Sequence, residues 1–155
     1  METEKLNQII EDFINFIESD LTKKLDRDKI LLVHLDSLGF IQAHLDFIFD
    51  ENDYEEPPLL IYDVKYNLIK NNFNNYGCYN LPEEIDENIS ETNIIVGDAI
   101  DDIVDIYLEL KEIQWRFIHT SQNDALWNLE NNYKFHWGTH LRNLQRYVYF
   151  KHYGN

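Results

Sequence analysis

The sequence predicts an all-α fold, a single-domain helical bundle of about five helices, and three observations carry that prediction. Apolar residues recur at three-to-four spacing along most of the chain. Only five Gly and three Pro interrupt 155 residues, so breakers are scarce and long regular elements follow. No linker, low-complexity tract or internal repeat divides the chain, and its length fits one domain spanning 1–155. At 44% hydrophobic and 14% aromatic, it can bury a core that a disordered chain cannot.

The first helix is expected over 4–18, where Leu6, Ile9, Ile10, Phe13 and Ile17 share a face. Ser19-Asp20-Leu21-Thr22 breaks it with capping residues. Asp26 and Asp28 open a second pattern running to about Asp50 through Leu32, Leu35, Leu38, Ala43, Leu45 and Phe49. Gly39 lies inside it and costs about 1 kcal/mol against Ala, which makes a kink there an expectation. Glu55-Glu56-Pro57-Pro58 reads as the start of a third helix, with proline suited to the first turn and carboxylates facing the positive helix end. That helix should fade in the Asn-rich run 71–77. Residues 78–96 show no helical period and read as a loop with short extended pieces at Tyr79–Leu81 and Asn93–Val96. Gly97-Asp98 caps a fourth helix to about His119. Ser121 to Asp124 turns the chain into a fifth, from about Ala125 to His152. The last two should pack as an antiparallel hairpin through Ile103, Tyr107, Leu110, Leu141, Leu144 and Val148.

The start of the chain lacks the basic-then-apolar order of a signal peptide, and the longest clean apolar run is Ile30 to Val33. The lone Cys78 matches no metal-binding cysteine pattern and has no internal partner. Together these point to a cytoplasmic protein without a membrane span, and heavy use of Asn, Ile, Lys and Tyr suits an AT-rich bacterial genome. The net charge of -16 disfavours nucleic acid and anionic membranes as partners. The charge is uneven. Residues 131–155 hold Lys134, Arg142, Arg146 and Lys151 with no acid, while the first 130 carry nine basic and 29 acidic side chains. The acidic body and the basic end are expected to touch.

Asp101 to Lys111, then Ala125-Leu126-Trp127, then Phe135-His136-Trp137-Gly138-Thr139-His140-Leu141 resemble a bacterial family catalogued as domain of unknown function 5063. The likeness lies in a "DIYxDLK" helix, a short loop, and a long helix carrying "HWGxHL" before an aromatic and basic end. Tyr62-Asp63-Val64-Lys65 leading to Tyr79 resembles the stretch that precedes the DIY helix. The resemblance covers most of 58–150 and implies a small helical bacterial protein. It implies no activity.

Asp98, Asp102, Asp105, Glu109 and Glu112 fall on one face of the fourth helix, with Asp101 at its edge. Like charges at i, i+4 cost roughly 0.2–0.5 kcal/mol each, so the helix tolerates on the order of 1 kcal/mol of self-repulsion. A solvated face screened by salt is the plain interpretation. The alternatives are a face that meets cations of a partner or of the fifth helix, and a divalent metal site. On the fifth helix Leu126, Leu129, Tyr133, Trp137, Leu141, Leu144 and Val148 form the core stripe. Trp127, Phe135 and Tyr149 lie on other faces beside Arg142 and Arg146, so this helix is expected either at the centre of the bundle or covering a partner. Central burial is the preferred expectation.

His136 and His140 stand at i, i+4, a spacing that lets two imidazoles reach one metal. No HExxH accompanies them, His140 falls in the apolar stripe, and the helical wheel turns Asp105 and Glu109 outward. On that basis no cofactor and no stoichiometric transition metal are expected, and both histidines read as structural. Cys78 and the serines show no nucleophile motif, and no phosphate-binding Gly loop is present. The expected function is therefore non-enzymatic binding of a protein partner, as adaptor or inhibitor. The binding residues would be Asp98, Asp102, Asp105, Glu109, Glu112, Trp127, Phe135, Arg142 and Arg146. A metal-dependent activity centred on His136 and His140 is the second reading, and a homodimer role the third.

Overall fold

A computed structural model describes residues 3–83, 85, 87 and 93–154. Helix α1 (Thr3–Glu18) is followed by α2 (Arg27–Gln42) and α3 (Tyr62–Asn72). Strands β1 (Cys78–Pro82) and β2 (Ile94–Asp98) pair antiparallel, with Cys78 opposite Asp98 and Pro82 opposite Ile94. The chain continues through α4 (Ala99–His119) into one helical rod made of α5 (Gln122–Asn132), a π-helical turn (Tyr133–Trp137) and α6 (Gly138–Tyr153). Counting the rod once gives five helices around one core among the described residues, with a two-stranded ribbon at the start of α4. The remaining residues of the expected 78–96 loop, 84, 86 and 88–92, lie outside the described residues, as do 1, 2 and 155 at the ends of the expected domain.

Helix α1 buries Leu6, Ile10, Phe13, Ile14 and Ile17 along one stripe, as its spacing predicts. Its C-terminal end is tied to that of α3 by the buried side chain of Asn72, which accepts from Leu21 N and donates to the carbonyls of Ile17 and Ser19. Those bonds satisfy backbone groups that a helix end otherwise leaves open.

Two boundaries differ from expectation. Helix α2 ends at Gln42, not near Asp50. Leu45 and Phe47 half-bury against the core from extended chain, and Asp50 accepts from Asn52 N, Tyr54 Oη and Ser121 Oγ. These anchors fix an extended path that outweighs the apolar spacing. Likewise Pro57-Pro58 do not open α3, which begins at Tyr62. A residue before proline is pushed out of the α region, and Glu56 and Pro57 both precede one. Gly39 sits inside α2 at a helix crossing, where a Cβ would lie 2.9 Å from Arg142 Nη1.

The central helix is α4 and not the C-terminal rod. Its buried residues Ile100, Ile103, Val104, Ile106, Tyr107, Leu110 and Ile113 wrap most of the helix, which packs against α1, α3, α5, α6 and the π turn. The rod instead keeps one face in solvent, with Trp127 36%, Phe135 81% and Tyr149 54% exposed. Rod and α4 run antiparallel, with Arg116 meeting Asp124 and Asp102 meeting His140; Ile103, Tyr107, Leu110, Leu141, Leu144 and Val148 are all fully buried, but Tyr107 turns away from the rod, and its hydroxyl donates to Glu18 of α1. Each such aliphatic side chain contributes about 1.5–3 kcal/mol by leaving water.

Candidate metal centre

The acidic face of α4 is turned inward. Asp98 caps the helix by accepting from Ile100 N at 2.9 Å, and it also receives the Tyr66 hydroxyl at 3.2 Å. One turn on, Asp101 accepts from Tyr62 of α3, and Asp102, only 4% exposed, accepts from Tyr79 of β1. Burial, together with these carboxylates, pushes the Tyr62 and Tyr79 hydroxyls far above their ordinary pKa, so both are hydrogen-bond donors at any working pH. The outward orientation expected from the helical wheel fails for a simple reason. The rod and the 62–79 segment pack on both sides of that face, so the charged stripe lies in a crevice.

Two histidines meet this stripe from the rod. His140 Nδ1 lies 2.7 Å from Asp102 Oδ1, and His136 Nδ1 lies 2.8 Å from Glu109 Oε1. A carboxylate can only accept, so in each pair the Nδ1 carries the proton. Asn132 adds a second donor to Glu109 at 2.7 Å. With both Nδ1 atoms occupied, the two Nε2 atoms approach one oxygen. His140 Nε2 is 3.3 Å and His136 Nε2 is 3.9 Å from Asp105 Oδ2. One ligand atom from each of the three side chains falls within 4.8 Å of the others. Ligands bonded at about 2.0–2.1 Å around a tetrahedral metal stand about 3.3 Å apart, so small side-chain shifts admit an ion.

The π turn supplies this geometry. Gly138 N–H bonds the Tyr133 carbonyl across the wide turn, and a Cβ on Gly138 would stand 2.3 Å from that oxygen. Glycine in the HWGTH stretch therefore fits a close backbone approach between the two histidines. Such π turns are rare and frequent at functional sites. The imidazole rings are 5.1 Å apart and edge-to-face.

The electrostatics suit a cation. His140 is held above its usual pKa, chiefly by its hydrogen bond to Asp102 and against the opposing cost of burial. Burial pushes Asp105 up, with Asp101 and Asp102 adding to the shift and both histidines opposing it. The site is open on one side, with the His136 side chain 47% exposed and those of His140 and Asp105 24% and 18%.

The other expected binding residues are dispersed. Glu112 belongs to a separate cluster at the far end of α4, where buried Arg116 pairs with Glu112, Glu56 and Asp124 at 3.0, 2.6 and 3.3 Å. Trp127 meets Phe49 edge-on at 5.8 Å. Arg142 bonds Tyr133 and Gln145, while Arg146 is exposed. The expected contact between acidic body and basic end is thus made by His136 and His140 rather than by the arginines. Sequence reasoning missed Tyr62, Tyr66, Tyr79 and Asn132, because only the tertiary fold brings α3, β1 and α5 to this face.

The sequence matches the family described as a domain of unknown function (DUF5063) over residues 2–153. A comparison with curated proteins finds no match. Among solved structures the fold is similar to the crystal structure of protein BF1032 from Bacteroides fragilis, at 18% identity and a TM-score of 0.77. The similarity covers 96% of this chain and 90% of that one, and at this identity it concerns the fold alone.

Proposed function

From the premise that the chain belongs to the DUF5063 family, whose description names no activity, we propose that it is a metal-binding protein with a metal-dependent activity at Asp105, His136 and His140. One observation carries this reading. Both imidazoles have Nδ1 fixed by a carboxylate, Asp102 or Glu109, and both present Nε2 to Asp105. Carboxylates that orient and enrich metal-binding histidines in this way are the usual outer support of such sites. Two nitrogens and one carboxylate oxygen suit zinc or iron(II), and three protein ligands leave positions for water or substrate.

The expectation of no metal rested on carboxylates facing outward, and that premise is gone. The test is metal analysis of protein purified without chelator, with zinc and iron(II) titrations of stripped protein. A stoichiometric metal should be retained, and His136→Ala or Asp105→Ala should lose it. Absence of saturable binding of either metal to the native chain would rule the reading out.

A second reading keeps a protein partner, without nucleic acid or membrane. It is favoured by the solvent-facing Phe135, 81% exposed on the rod. Its test is capture from cell extract by the native chain and by Phe135→Ser. A partner held by the first and lost by the second supports it, and identical captures oppose it.

A further inference from the structure

Each histidine is held by a carboxylate, but the two carboxylates are not held alike. Glu109, which holds His136, receives its second hydrogen bond from Asn132, four residues before His136 on the same rod. Asp102, which holds His140, is buried and receives its second from Tyr79 of the β1–β2 ribbon. One arm is therefore closed between α4 and the rod, whereas the other is anchored on a third element. The His136 side chain, on the first arm, is 47% exposed, against 24% for His140 on the second.

The ribbon is shaped to deliver the Tyr79 hydroxyl. Strand β2 runs directly into α4, so Asp102 stands one helical turn after the cap residue Asp98. Tyr79 faces Gly97 across the ribbon, and a Cβ on Gly97 would stand 2.7 Å from Tyr79 Cζ. The aromatic ring thus occupies space that the glycine leaves, and its hydroxyl reaches α4. The ring also packs on Tyr147 of the rod, with 5.0 Å between centroids, and the Tyr147 hydroxyl accepts from Gly77 N at 3.2 Å. Ribbon and rod together hold the ring in place.

A carboxylate with both oxygens bonded cannot turn without breaking one of those bonds. Tyr79 on Oδ2 therefore fixes Oδ1, and Oδ1 fixes the imidazole of His140 through its Nδ1 proton. Building on the metal-binding reading, we infer that Tyr79 is a positioning residue of the metal centre: acting through Asp102 it sets the orientation of His140, and the ribbon that carries it belongs to the site.

The experiment uses the full chain loaded with cobalt(II) and followed by proton magnetic resonance. Each coordinated imidazole contributes its own shifted Nδ1–H signal, and that of the more exposed His136 exchanges faster with water. Tyr79→Phe removes one oxygen and keeps the ring. It should weaken cobalt binding about tenfold and shift the slowly exchanging His140 signal, while the His136 signal stays in place. Asn132→Ala should do the converse, moving the His136 signal alone. Gly97→Ala, which pushes the ring aside, should move the same signal as Tyr79→Phe. The two changes combined should weaken binding no further than one of them, because both break the same bond. Native affinity and a native His140 signal in Tyr79→Phe would overturn the inference while the metal reading stood. Two signals that move together in Tyr79→Phe would overturn it as well, since they mark a general loosening and not the positioning of one ligand. Additive losses in the double variant would overturn the ribbon's part. Failure of cobalt to bind the native chain would instead sink the metal reading and take the positioning inference with it.

Discussion

At the C-terminal end of α4, Glu56, Glu112 and Asp124 surround the guanidinium of Arg116; at the N-terminal end, Asp101, Asp102, Asp105 and Glu109 surround the imidazoles of His136 and His140. Both ends gather carboxylates in a crevice, and both need positive charge. Arg116 is a permanent cation, only 5% exposed, whose pKa is raised by its carboxylate partners despite the opposing effect of burial. That cluster is complete as it stands. The histidines carry charge only when protonated, and their Nε2 atoms face one another across Asp105. The first arrangement fixes a fold, whereas the second leaves a position that a proton or a metal can take.

The largest expected effect breaks the complete end. Arg116→Met should cost about 3–5 kcal/mol in urea unfolding, because it leaves partly buried Glu112 and Asp124 without their counter-charge. A loss below about 1 kcal/mol would show that Arg116 is an ordinary surface pair.

The next effect belongs to the incomplete end. If the metal reading holds, zinc at a hundred times its dissociation constant should stabilise the native chain by about 2.7 kcal/mol. Asp105→Ala or His136→Ala should abolish that gain, and Arg116→Met should keep it. Equal stabilisation of native chain and His136→Ala would place the zinc elsewhere.

The sequence revealed more about the complete parts than about the open one. Period and breaker content placed α1, α4 and the rod, since a 3.6-residue stripe records which face is buried. The spacing of His136 and His140 and the row of acids on the fourth helix were both visible. Their meeting was not, because a helical wheel gives relative angles within one helix and cannot say what packs on each face. The stripe from Asp98 to Glu109 looks solvent-facing by charge alone, and only the approach of Tyr62, Tyr79 and the rod makes it a crevice. The ends of α2 and α3 were misplaced for a related reason, since long-range anchors such as Asp50 to Ser121 and Glu56 to Arg116 decide them. Nor does helical periodicity announce a π turn, although Gly138 between the histidines was its available mark.

That turn gives the third prediction. Gly138→Ala places a methyl against the Tyr133 carbonyl, so the turn must rewind or the rod must shift. A stability loss of about 1–3 kcal/mol is expected, as for overpacked interiors. Under the metal reading, zinc affinity should fall at least about tenfold, because rewinding turns His136 relative to His140 and spoils the supporting geometry. Gly39→Ala, which meets only the flexible end of Arg142, should leave zinc affinity unchanged. A Gly138→Ala protein with native zinc affinity would separate the turn from the site.

The smallest effect concerns what occupies the incomplete end when metal is absent. His140 has its pKa raised in the folded state, first by the hydrogen bond to Asp102. A base shifted upward contributes stability that is fully present below its unfolded value near 6.5 and is lost as pH rises through the folded value. The raised Asp105 acts in the same direction at lower pH, since deprotonating it as pH climbs past 3.8 costs stability in the folded state. Metal-free protein should therefore lose a small part of its stability as pH rises above about 6.5, the effect being modest for a partly exposed pair. His140→Gln, which removes the titrating group, should flatten the slope. With saturating zinc the sign should reverse, because the metal competes with protons for the Nε2 atoms and binds more tightly as pH rises. Chemical denaturation at several pH values, with zinc and with chelator, measures both slopes. If the slopes with zinc and with chelator share one sign, proton and metal do not compete for this position. His140 would then be a structural ion pair, like Arg116 at the other end of the helix.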